Sequence, residues 1–198
     1  MTKLTYYTAT TLDGFIADPD DSLEWLFRQD QDDKGPLNYE DFIKDIGAIV
    51  MGATTYEWIR TKQPDEWSYS MPSWVMTHRD LKPPAVAGID PDVRFASGSV
   101  REVYDAMVAA ADGKDLWVVG GGDLVGQFAD EGLLDEVITY IAPVTLGAGR
   151  PILPRRLDLE LVEATPNKAF IAARYRFVGP LTEDRADLTV EAEELVVE

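Results

Sequence analysis

The chain has 198 residues, 45% of them hydrophobic, and a formal net charge of −18, which allows one buried core and repels nucleic acid and anionic membrane over most of the surface. With no cysteine and His78 as the only histidine, there is no disulfide framework, no thiolate nucleophile and no cysteine- or histidine-pair metal site, so no metal is expected. No basic segment leads into a long apolar core near the start and no run approaches a membrane span, so a cytoplasmic location is expected.

Lys3 to Thr11, rich in Thr and Tyr, predicts a first and central strand. Asp13-Gly14 is a hairpin-type turn signal, after which Phe15-Ile16-Ala17 returns as extended chain. Asp18 to Asp33 holds seven acids and one arginine, a solvated stretch in which a short helix capped by Asp21 or Ser22 would put Leu23, Leu26 and Phe27 on one side. Asn38 to Ile46 reads as a helix with Asn38 as N-cap, ended by Gly47. Ala48 to Met51 is a buried strand, and Gly52 turns it into a helix from Ala53 to Ile59.

Pro72 to Thr77 reads as a strand ending at His78-Arg79, and Val93 to Ala96 as another ending at Ser97-Gly98. Ser99 caps a helix through Ala111 with apolar residues at helical spacing. Leu116 to Val119 is a doubly buried strand, stopped by Gly120-Gly121-Gly122 before a helix from Asp123 to Asp130. Val137 to Ala142 follows, closed by Pro143 and the turn Leu146 to Gly149. Leu157 to Ala164 and Ala169 to Val178 form a final antiparallel pair about a turn at Thr165 to Lys168.

Strand, glycine and helix start therefore occur twice, at Gly52 and at Gly120 to Gly122. Helix starts leave N–H donors unpaired, and glycine lets the backbone approach an anion, so both suit a phosphate. Each is equally compatible with a tight connection. The glycines at 120, 122 and 126 give G-x-G-x-x-x-G, and no isolated acid follows at the distance ribose recognition requires, so a standard dinucleotide fold is disfavoured. Trp25 and Trp58 read as core or rim packing.

Four motifs occur in order: Leu12 to Ala17, Met51-Gly52-x-x-Thr55-Tyr56-Glu57, Val118 to Gly122, and Gly132-Leu133-x-Asp135-Glu136 running to Pro143-x-x-Leu146-Gly147-x-Gly149. Together they resemble the dihydrofolate reductase-like superfamily, in particular the riboflavin-pathway reductase family (RibD C-terminal domain-like). The resemblance implies an α/β fold of three α-β-α layers, with a mixed, mainly parallel sheet of about eight strands and an antiparallel C-terminal pair. It implies one such domain over 1–179, followed by an acidic extension over 180–198 that carries seven acids. It also implies NADPH laid across the sheet, with Gly52, Ala53, Thr54, Thr55, Gly121, Gly122, Asp123 and Leu124 at its phosphates, and Thr77, His78, Arg79 and Ser97 at the strand ends beside its adenosine.

Relatives commonly carry a base where this chain has Ala53, and Thr77, His78 and Arg79 are the candidates to replace it. The position nearest a folate reductase's carboxylate is Asn38. Asp13, in the loop similar to the family's nicotinamide-covering loop, is either the proton donor or a turn residue beside Gly14. The expected activity is NADPH-dependent reduction of a small heterocyclic substrate, such as the ribosylaminopyrimidine of riboflavin synthesis or a pterin; the alternative is a non-catalytic nucleotide-binding module. Family relatives are often homodimers, and a homodimer is expected.

Overall fold

The structure is a computed structural model that describes residues 2–181. The acidic extension expected over 180–198 lies outside the described residues apart from Pro180 and Leu181.

The elements follow in the order β1 (Leu4–Thr11), β2 (Phe15–Ala17), α1 (Glu24–Phe27), α2 (Tyr39–Lys44), β3 (Ile46–Gly52), α3 (Ala53–Lys62), β4 (Ser73–Met76) and β5 (Val93–Ala96). Then come α4 (Val100–Ala110), β6 (Asp115–Gly120), α5 (Gly122–Asp130), β7 (Glu136–Ala142), β8 (Arg150–Pro151), β9 (Leu157–Asn167) and β10 (Phe170–Pro180). Among the described residues, eight strands form one sheet in the order β5-β4-β3-β6-β1-β7-β10-β9, and β2 pairs with β8 in a small second sheet. From β5 to β7 the neighbours run parallel, while β10 is antiparallel to both β7 and β9. This is the dihydrofolate reductase-like architecture, with β1 inside the sheet as its sequence implied.

Apolar alternation with a period of two decides the layers. In β3, Ala48 and Val50 join a core with Leu4, Tyr6, Leu116 and Val118, covered by Val103 and Met107 of α4 and Val125 and Phe128 of α5. Ile49 and Met51 point to the opposite face, where Trp117 meets Tyr56 and Ile59 of α3 and Phe42 of α2 packs at the edge. A third cluster of Trp25, Tyr140, Ala142, Phe170 and Ala172 closes the β7–β10 side.

Several local expectations shift. The helix after Asn38 is shorter than its apolar pattern suggests, because Ile46 leaves it to begin β3. Gly47 lies within that strand rather than ending the helix, and a Cβ there would sit 2.2 Å from the Ala111 carbonyl oxygen, so close packing explains the glycine. In α1, Leu23 is the N-cap without a side-chain hydrogen bond, and Trp25 is the buried residue. Phe27 is 69% exposed rather than facing inward with Leu23 and Leu26. Phe15–Ala17 is extended as expected, and its partner is β8. β9 runs on to Asn167, its Pro166 tolerated on an outer strand, so the final turn tightens to Lys168 and Ala169.

Candidate functional site

β3 and β6 are parallel neighbours whose C-terminal ends coincide, with Met51 opposite Gly120. Helices α3 and α5 therefore begin side by side. Their N-caps are Gly52 and Gly121, and neither makes a side-chain capping bond. By contrast α2 and α4 are capped: the Asn38 side chain accepts from the Asp41 N–H at 2.9 Å, and Ser99 forms a capping box with Glu102. The first-turn N–H groups of α3 and α5 thus lack the side-chain acceptors that α2 and α4 receive.

In front of those two helix starts lies a cleft of about 570 Å³, lined by Thr8, Thr54, Thr55, Trp58, Arg79, Gly120 to Asp123 and Arg150, among others. Two of its glycines are required for different reasons. Gly121 has φ +94°, which a side chain would strain, while a Cβ on Gly122 would stand 2.3 Å from the Pro151 carbonyl oxygen and 2.5 Å from that of Ile152. The β8 segment is strapped over the start of α5 by that contact.

The basic groups around the cleft are already paired. Arg79 donates to Glu57. Arg150 forks onto Asp21, with Nε to Oδ1 at 2.6 Å and Nη2 to Oδ2 at 3.1 Å, and this pairing lowers the Asp21 pKa. Arg155 holds Asp123 at 3.0 Å and Asp130 at 2.9 Å. Hydrogen bonds from Gln127 and Arg155 lower the Asp123 pKa.

Of the residues anticipated from sequence, Thr54, Thr55, Arg79, Gly121, Gly122 and Asp123 line the cleft. Gly52 and Ala53 open α3 just behind it. Leu124 turns its side chain into the core. His78 and Ser97 are exposed and do not line the cleft. Thr77 is used within the chain, donating its N–H to the Ala96 carbonyl at 2.8 Å and accepting from the Arg79 N–H at 2.9 Å.

Asp13 is engaged by hydrogen bonds. Its carboxylate accepts from the Thr11 hydroxyl and from the N–H groups of Gly147 at 2.7 Å and Leu146 at 3.0 Å. Those bonds, the Thr11 hydroxyl first, hold its pKa below the ordinary carboxylate value, and the carboxylate fastens two loops together. Asn38 likewise spends its side chain on the cap and on the Gly35 carbonyl at 3.0 Å. Thr8, Trp58 and Arg150 were missed as lining groups. Thr8 is visible in principle, as a polar position near the end of a buried strand.

A second cavity of about 500 Å³ adjoins the first, and Thr8 lines both. Its walls include Tyr7, Phe27, Tyr39 and Tyr140. Phe27 stacks on Trp58 of the cleft, with ring centroids 6.4 Å apart. The Tyr7 hydroxyl donates to the Leu37 carbonyl at 3.1 Å and the Tyr140 hydroxyl to that of Pro36 at 2.6 Å. Burial pushes both phenols' pKa values up, so they stay neutral donors. Buried Asn167 accepts from the Asp32 N–H at 2.8 Å and donates to its carbonyl at 3.0 Å. The loop forming this wall is thereby pinned to the sheet.

Comparison with known proteins agrees with this architecture. The chain matches the RibD C-terminal domain over residues 2–169. It is 31% identical over 150 residues to the Bacillus subtilis (strain 168) protein YwjB, covering 76% of this chain and 82% of that protein. A putative riboflavin biosynthesis protein from Shewanella sp. PV-4 superposes with a TM-score of 0.75 at 23% identity, over 89% of this chain and 99% of that one. Dihydrofolate reductase from Enterococcus faecalis, solved with NADP(H), superposes with a TM-score of 0.55 at 14% identity, over 88% and 94% of the two chains.

Proposed function

As the chain belongs to the RibD C-terminal domain family, we propose that it is an NADPH-dependent reductase of a small heterocyclic substrate. The observation that carries this reading is the pair of glycine-capped helix starts at the ends of β3 and β6, whose N–H groups open onto one cleft. Thr54, Thr55, Gly121 and Gly122 would hold the diphosphate there, chiefly through backbone N–H groups, since the net charge of −18 opposes an anion elsewhere. Arg79, which donates through Nη1 to Glu57, has further guanidinium N–H groups that would reach another phosphate.

When bound, the nicotinamide supplies a hydride to an electrophilic carbon of the substrate, whose neighbouring heteroatom takes a proton from solvent. The protein's part is positioning and exclusion of water. Thr8, shared by both cavities, stands where cofactor and substrate would meet, and the tyrosine-walled cavity would hold the substrate. Asp13 keeps the loops on either side of β1 and β7 together. The ribosylaminopyrimidine of riboflavin synthesis is the substrate the family name suggests.

The same reading takes the protein to be cytoplasmic, with residues 1–179 as the reductase domain. It also takes it to be a homodimer, supported by exposed Leu161, Val162, Ile171 and Val178 on the outer strands. Titration with NADPH followed by cofactor fluorescence, then a search for oxidation of NADPH with candidate heterocycles, tests the function. Binding without any turnover would favour the non-catalytic module, and no binding would refute both readings.

A further inference from the structure

Among the described residues, the charged groups lining the tyrosine-walled cavity are Asp30 and Asp33, and no lysine or arginine lines it. Lys168 balances one of them, pairing with Asp30 at 2.9 Å. The remaining walls include aromatic rings, the amides of Gln29 and Gln31, and Thr8, Ala9 and Leu26. A planar ring can lie against Tyr7, Tyr39 and Phe27, and amino or ring N–H groups can donate to the carboxylates and amide oxygens. A phosphate would meet Lys168 only in competition with Asp30, and would stand against the negative charge of Asp33.

We propose that this cavity selects planar heterocycles that carry no phosphate, neutral or protonated, and rejects their phosphorylated counterparts. The inference rests on the reductase reading for the cavity's role, and it narrows the substrate class away from a phosphorylated ribosylaminopyrimidine. The cavity wall is held by hydrogen bonds to the sheet. Tyr7, Tyr140 and Asn167 pin its loop through bonds to Leu37, Pro36 and Asp32. The backbone beside its acidic edge is thereby held against the sheet.

The test is equilibrium dialysis of the full chain, with and without NADPH, against three pairs: uridine and its monophosphate, riboflavin and flavin mononucleotide, and pyridoxal and pyridoxal phosphate. In at least one pair the phosphate-free member should bind more tightly by on the order of tenfold, and Asp30→Asn/Asp33→Asn should erase most of that preference. Both positions are exposed and tolerate the change, and the circular dichroism melt verifies the fold. Tighter binding of phosphorylated members, binding of no member, or a preference unchanged in the double variant would overturn the proposal. A parallel NADPH titration separates the two readings. If NADPH binds while the order of the pairs is reversed, only this inference fails; if the order holds without NADPH binding, only the cofactor reading fails.

Discussion

Arg79 enters the cleft already paired with Glu57, whose negative charge offsets part of any gain from a 2′-phosphate. Both side chains are about half exposed, at 58% and 45%, and such pairs are worth only ~0–1 kcal/mol. Glu57→Gln should therefore strengthen NADPH binding by up to roughly fivefold and leave NADH within about twofold, whereas Arg79→Ala should weaken NADPH alone. Calorimetric titration with both cofactors checks this, and equal shifts for the two would remove Arg79 from the 2′-phosphate. Asp13 makes a different claim. Its folded pKa is lowered, so the stability it contributes is fully present above the unfolded carboxylate value near ~4 and is lost as the pH falls through the folded value. Asp13→Asn should lower the melting temperature at neutral pH, and the gap to the parent should close in acid. The residue types at both positions were legible, but their partners were not. Glu57 lies 22 residues from Arg79, and Gly147 lies 134 from Asp13. Sequence patterns report neighbours along the chain and not those brought together by sheet closure.

At the scale of elements, the helices divide into those capped by side chains and those left open. Ser99→Ala should cost about 1 kcal/mol of stability without touching cofactor affinity, because α4 starts outside the cleft. Gly121 and Gly122 separate conformation from packing. Gly121→Ala meets only Leu124 Cβ, at 3.7 Å, so its cost is the strain of φ +94°, about 1–2 kcal/mol. Gly122→Ala drives a methyl against two carbonyls of the β8 strap and should cost about 2–3 kcal/mol while loosening that strap. Urea denaturation of the three variants, paired with NADPH titration, distinguishes these effects. Strands β1, β3, β6 and β7 and the starts of α3, α4 and α5 were legible because burial, glycine and capping signals coincide there. The two-residue β8 has no periodicity to read, and the short α1 has no side-chain cap to announce it. Ile46 satisfies both a helical face and a buried strand, and sheet pairing with β6 decides between them.

The whole molecule carries a net charge of −18, yet the proposed cofactor is an anion. Local backbone donors must therefore outweigh the global field, and binding should strengthen as salt screens that repulsion. If the exposed apolar residues of β9 and β10 form the dimer surface, removing the chain beyond Pro180 should leave a dimer by light scattering; a monomeric product would assign assembly to the extension instead. The central claim is that the open N–H groups at the starts of α3 and α5 receive the cofactor's phosphates. Thr54 lies in the first turn of α3 and lines the cleft. A carboxylate there favours the helix by ~0.3–1 kcal/mol but stands where the phosphates would lie. The decisive measurement is NADPH titration of Thr54→Glu beside its thermal melt. The account requires binding weakened on the order of hundredfold with the melting temperature unchanged or raised; a variant that binds NADPH as tightly as the parent would contradict it.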